Sequence, residues 1–144
     1  MNLAQLNIGR LLHPIDAVET AEFAAALEPV NALADAAPGF VWRLQDDDGN
    51  ATSFRAFDDD TLLINMSLWE SLEALRGFVY SGEHLAFMRR RREWFDKIDE
   101  QHIVLWWTDD IPTIPEAKRR LELLTANGPT ADAFTFSDPS SPRR

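Results

Sequence analysis

His84 and Arg91 lie two helical turns apart on a stripe that is otherwise apolar. His84, Phe87, Met88, Arg91 and Phe95 fall at i, i+3, i+4, i+7 and i+11, which places them on one helical face. A second group of polar side chains sits on strands. Leu62 to Trp69 splits with a period of two, so Leu62, Ile64, Met66 and Leu68 point one way and Leu63, Asn65, Ser67 and Trp69 the other. Leu3 to Arg10 repeats the pattern, with Gln5 and Asn7 on its mixed side. Amides, a hydroxyl, an indole, an imidazole and a guanidinium on apolar faces suit a small-molecule pocket, and they suit a mixed interface too. Asn7, Trp69 and His84 are the candidates for chemistry. Gln5, Asn65, Ser67, Met88 and Arg91 are the candidates for ligand contact.

Each has a plainer reading. His84 suits a structural or surface histidine, Trp69 suits ordinary core packing, Asn7 suits a closed hydrogen bond within the sheet, and Arg91 suits an ion pair with one of 24 acidic residues. Other chemistries have less behind them. No glycine-rich phosphate loop is present. Ser71 and Ser81 lack a nucleophile-elbow context. The three histidines are too far apart for zinc spacing, and no metal site is expected. The acidic triplets Asp46–Asp48 and Asp58–Asp60 match no calcium loop and read as turns. Glu70 with Asp96, or Glu73 with Glu83, are acid pairs of the kind so acidic a chain produces by chance.

The elements that position these residues follow from pattern and punctuation. Leu3–Arg10 is a strand, ended by His13-Pro14. Asp16, with Glu19 three residues on, is placed to cap a helix through Phe23 and Leu27. Pro29 should kink that helix or begin a second over 30–36. Phe40–Gln45 and Ala51–Phe57 read as strands around the Asp-Gly turn at 46–50. After the strand at 62–69, Ser71 caps a helix with Leu72, Leu75 and Val79 inward, and Ser81-Gly82 interrupts it. The stripe bearing His84 then runs from Glu83 to about Asp96. Gln101–Thr108 is a strand that starts with an exposed His102, and Pro115 opens a last helix stopped at Asn127-Gly128-Pro129. Ala133-Phe134-Thr135-Phe136 should tuck back against the body. The expected organisation is one domain over 1–136 with a loose tail over 137–144.

Composition bounds the partners. A 144-residue chain with 45% hydrophobic residues is long enough for one domain with a real core. A net charge of −10 argues against nucleic acid, and Arg89–Arg92 reads as a solvated helix face. With no cysteine, neither disulfides nor thiolate chemistry is possible. No apolar run approaches the roughly 20 residues of a membrane span, and no signal segment is visible, so a cytoplasmic location is expected.

The order strand, helix, strand, added strand, strand, helix pair, strand, helix reduces to βαββαβ, the α+β ferredoxin-like plan, with an added hairpin strand and a C-terminal helix. The sheet face opposite the helices is expected to carry Gln5, Asn7, Asn65, Ser67 and Trp69, and pairing with a second sheet in a homodimer would cover it. On Leu3-Ala4-Gln5-Leu6-Asn7, Ala37-Pro38-Gly39-Phe40, Asn65-Met66-Ser67-Leu68-Trp69-Glu70-Ser71, Met88-Arg89-Arg90-Arg91, Leu105-Trp106-Trp107, Asn127-Gly128-Pro129 and Ala133-Phe134-Thr135-Phe136, the chain resembles the dimeric α/β-barrel superfamily. Within it, the likeness is to the bacterial domain-of-unknown-function family 3291. The resemblance implies a dimeric α/β barrel and an oxygenase-like, monooxygenase-like role toward a bound aromatic molecule or haem. For haem it implies His84 as iron ligand, Asn7 as donor to bound oxygen, Trp69 against the porphyrin and Arg91 near a propionate. A non-catalytic binding barrel or a structural homodimer is the alternative.

Overall fold

The computed structural model describes residues 1–45, 61–97 and 102–142. Strand β1 (Asn2–Leu11) runs through the centre of an antiparallel sheet. After it come α1 (Ala21–Ala36) and β2 (Phe40–Arg43). Strand β3 (Leu62–Trp69) lies along one side of β1, with Leu3 opposite Trp69, Gln5 opposite Ser67 and Asn7 opposite Asn65. Strand β2 pairs with the outer side of β3. Helices α2 (Leu72–Val79) and α3 (Gly82–Arg89) follow. The other side of β1 is shared. The short β4 (Phe95–Asp96) meets Arg10 and Leu11, and β5 (Ile103–Thr108) meets residues 2–7. Helix α4 (Ile114–Asn127) comes last. With the first and third strands central, this is an α+β, ferredoxin-like fold. The expected strand over 51–57 and its acidic turns lie outside the described residues.

The two sheet faces are covered the other way round from the expectation. Ala4, Leu6, Ile8, Ile64, Met66, Leu68, Val104 and Trp106 form the dry face, and they pack on Ala117, Leu121 and Leu124 of α4. The mixed face lies under α1, α2 and α3. Its ends are apolar and account for this. Leu3 and Trp69 pack with Leu75 at one end, and Leu11 and Leu63 pack with Phe23 and Trp94 at the other. Only the middle is polar, and there sheet and helices stand apart around a cavity. Both faces are therefore covered within one chain, so a second sheet is not needed to bury either.

Local sequence explains most element boundaries. Ser71 caps α2 by accepting from the Ala74 amide at 3.1 Å, and Thr113 caps α4 through Glu116. Gly128, with φ 71°, ends α4 as expected. One expectation fails at α1, and of the two alternatives at Pro29 the second helix does not form. The exposed Asp16 caps nothing there. Thr20 organises the entry instead, donating its hydroxyl to the Pro14 carbonyl at 2.8 Å, after a 3-10 turn over Val18–Thr20. Pro29 does not split the helix, because both it and Ala25, whose carbonyl loses its partner, face solvent. His102 is half-buried rather than exposed, since its carbonyl accepts from the Ile8 amide at 2.9 Å and holds it against β1.

The helix carrying His84 ends at Arg89 rather than near Asp96. A 3-10 turn over Arg91–Glu93 follows, then β4. Continuing the helix would set the like charges of Arg89 and Arg92 side by side at i and i+3. Turning instead buries Trp94 against Phe23 and Phe87 and lets Phe95 pair with Leu11. Beyond α4 the chain folds back as expected. Phe134 bridges to Leu105 with backbone bonds of 2.9 Å in both directions. The tail is anchored further than expected, since the Ser140 carbonyl accepts from the Trp107 indole at 2.7 Å. Among the described residues, no helix is long and apolar enough to cross a membrane.

Candidate functional site

The cavity between the mixed face and helices α1–α3 has a volume of about 250 Å³. Gln5, Asn7, Asn65, Ser67, Trp69, His84, Met88 and Arg91 all line it. The structure thus brings together every residue that the sequence singled out. The register does this for the strand residues, since each lies across from another of the set or next to one. For His84, Met88 and Arg91 the stripe survives the end of α3, because the 3-10 turn still presents Arg91 to the cavity.

The polar floor is a small, directional network. Gln5 Nε2 donates to Asn65 Oδ1 at 2.6 Å and to Ser67 Oγ at 2.8 Å. Trp69 Nε1 also donates to Ser67 Oγ, at 2.9 Å. An indole can only donate, so Ser67 must accept there. Burying these groups is tolerable because they satisfy one another. Asn7 lines the cavity beside them.

The helix side is aromatic. Phe78 stacks on Trp69 with ring centroids 5.3 Å apart, and the ring of Phe40 meets Trp69 edge-on at 5.4 Å. The other neighbour of Phe78 is His84, at 4.7 Å. His84 Nδ1 lies 2.9 Å from the Val79 carbonyl, one of the acceptors that the end of α2 leaves free. That bond puts the proton of the neutral ring on Nδ1 and leaves Nε2 as a bare acceptor. Burial holds the imidazole below the ordinary histidine pKa, opposed by the smaller effect of the Val79 bond, so the ring is neutral at pH 7.

Several lining residues escaped the sequence reading. Phe78 carried a signal, since Leu75, Phe78 and Val79 fall at i, i+3 and i+4 on the inner face of α2. Asn31 and Arg43 also line the cavity, and nothing in the spacing of α1 or β2 marks them. Arg43 is engaged by Asp35 at 2.7 Å. In the basic run, Arg90 pairs with Glu22 and Glu93 and lies 4.8 Å over the Trp94 ring.

The arrangement does not fit haem. A porphyrin flanked by Trp69 and His84 needs an open indole face, but Trp69 is 1% exposed and Phe78 stands between the two residues. Pockets enclosing drug-sized ligands run to roughly 300–1,000 Å³. At about 250 Å³ the cavity is smaller than that, and a macrocycle exceeds it. Among the described residues, no three histidine or acidic side chains gather to hold a metal ion.

Comparison with known proteins places the chain. The family of domains of unknown function called DUF3291 matches it over residues 2–144. The chain belongs to that family. No curated protein matches this DUF3291 chain. Among solved structures it is similar to SnoaB, a cofactor-independent oxygenase from Streptomyces nogalater. The two share 17% identity and a TM-score of 0.51, covering 76% of this chain and 95% of that one. It is also similar to Rv0793 from Mycobacterium tuberculosis, at 14% identity and a TM-score of 0.53, over 78% of this chain and 100% of that one. At these identities the likeness establishes the shared fold.

Proposed function

We propose that the cavity holds a compact molecule of roughly two or three fused rings and that the chain oxidises it with dioxygen, without a cofactor. The observation that carries this reading is His84. Its Nε2 is bare, its ring is fixed by Val79, and it borders an aromatic-walled cavity with one polar side. Oxidation without a cofactor needs a substrate that becomes electron-rich on losing a proton, a base to take that proton, and a dry site that dioxygen can enter. His84 Nε2 is the base in this reading. Asn7 and the Ser67 hydroxyl border the place where a substrate oxygen gathers charge. Trp69 positions Ser67 and closes one wall. The fold shared with a cofactor-independent oxygenase supports the proposal.

For an activated methylene, the overall step consumes one dioxygen and yields a carbonyl and one water. Both C–H bonds of the methylene carbon break, and a carbon–oxygen double bond forms in their place. One oxygen atom enters the product. The other leaves as water, carrying both hydrogens. Four electrons pass from the carbon to dioxygen. Anthrone is a suitable probe, because it forms a stabilised anion and yields anthraquinone. Wild-type protein should consume one dioxygen per anthraquinone formed, and His84→Ala should lower the rate roughly 100- to 10,000-fold, the usual range for a lost general base. A rate no faster than buffer, or one unchanged by the substitution, contradicts the assignment.

The second reading is a non-catalytic binding domain. It is favoured by the floor network, in which Gln5, Asn65 and Ser67 already satisfy one another. Saturable binding with no dioxygen uptake would select it. We propose a homodimer on the superfamily resemblance, and sedimentation of the purified chain at twice its 16.4 kDa mass tests it.

A further inference from the structure

We propose that the molecule taken by this cavity is an anion, an aromatic or fused-ring acid whose carboxylate meets Arg91. This deepens the small-molecule reading above and rests on it.

The chain has 24 acidic residues and a net charge of −10. Yet among the described residues no aspartate or glutamate lines the cavity, while two arginines do. One of them, Arg43, already has Asp35. The other is Arg91. Ion pairs among the described residues engage Arg43, Arg90, Arg119, Arg120 and the N-terminal amine, and none engages Arg91. Its neighbour Arg90 takes two glutamates, Glu22 from α1 and Glu93 three residues on. So of the two guanidiniums that border the cavity, Arg43 has a carboxylate and Arg91 has none among the described residues.

The surroundings make that consequential. The lining contributed by the same stretch of chain, Phe87, Met88, Trp94 and Phe95, is apolar. A guanidinium next to apolar walls gains more from a carboxylate than it would in open water. Its planar fork also meets a carboxylate through two parallel hydrogen bonds. The other cation in the lining, Arg43, is already held by Asp35, and His84 is neutral at pH 7. A cationic ligand meets an uncompensated positive charge, and a neutral one leaves that charge unanswered. The rings of Phe23, Phe40, Phe78 and Phe87 supply flat apolar walls for the body of such an acid.

Calorimetric titration of the full chain at pH 7.5 tests this with two matched pairs of probes, benzoate with benzamide and 2-naphthoate with 2-naphthamide. Wild type should bind the better-fitting carboxylate roughly 10- to 100-fold more tightly than its amide, as expected for a charge-assisted contact. Arg91→Gln should erase that preference by weakening the carboxylate while leaving the amide unchanged. Arg91→Lys should retain part of it, and Arg89→Gln, on the exposed end of α3, should retain all of it. Equal binding of acid and amide by wild type, or a preference that survives Arg91→Gln, overturns the anion assignment and leaves the small-molecule reading standing. If no probe of either pair binds wild type, both readings fall together.

Discussion

The Nδ1 nitrogen of His84 lies 2.9 Å from the carbonyl oxygen of Val79, across the break between α2 and α3. A helix end thus supplies the acceptor that fixes the tautomer of a side chain reaching the cavity from the next helix. The interruption at Ser81-Gly82 is what allows the contact.

That contact gives a pH dependence. His84 is held below its ordinary value of 6.5, first by burial. In the unfolded chain it takes a proton below about pH 6.5, and in the folded chain it does so only at lower pH. Its contribution to stability is therefore full above about pH 6.5 and falls as pH drops through the window between the two values. Urea midpoints from pH 8 to 5 should show a decline that His84→Ala makes shallower. Turnover of anthrone should fall over the acid part of the same range, with its midpoint below 6.5. An unchanged slope in the variant contradicts the buried, neutral imidazole.

Ser67 is the acceptor for two donors, and this predicts strong coupling with Trp69. Ser67→Ala leaves the buried Trp69 indole N–H unpaired, at a cost of about 1–3 kcal/mol. Gln5 keeps Asn65 in that variant. Trp69→Phe removes the stranded donor, so the double variant should cost less than the two single changes summed, by roughly 0.5–3 kcal/mol. Denaturation of the four proteins measures this directly. Additive losses contradict the network.

How much of this was legible in the sequence differs by element. The period of two in Leu62–Trp69 and the helical stripe from His84 select residues that share one cavity, because side-chain direction is a local property of strands and helices. Which face the helices choose is not local. Gln5 and Ser67 marked their face as polar, but Leu3, Leu11, Leu63 and Trp69 at its ends settle the packing, and their partners lie far away in sequence. The end of α3 was hidden for the same reason, since Trp94 leaves the helix to reach Phe23 on α1. The Val79 carbonyl carries no side-chain signal at all.

Gly39 joins α1 to β2 with φ +82°, and a Cβ built on it would lie 2.4 Å from the Ala74 Cβ on α2. Gly39→Ala should therefore destabilise by at least about 1–3 kcal/mol from backbone strain alone. Adding Ala74→Gly should relieve the clash without relieving the strain, so the melting temperature recovers only in part. Full recovery, or no loss in the single variant, contradicts the close approach of this turn to α2.

The most direct test of the account is anaerobic titration of the wild-type chain with anthrone, beside Met88→Trp, which fills the cavity, and His84→Ala, which removes only the proposed base. The account predicts saturable binding by wild type, its loss in Met88→Trp, and its retention in His84→Ala despite that variant's lost turnover. Binding that persists when the cavity is filled, or its absence from wild type, would contradict the claim that this space holds the molecule on which the protein acts.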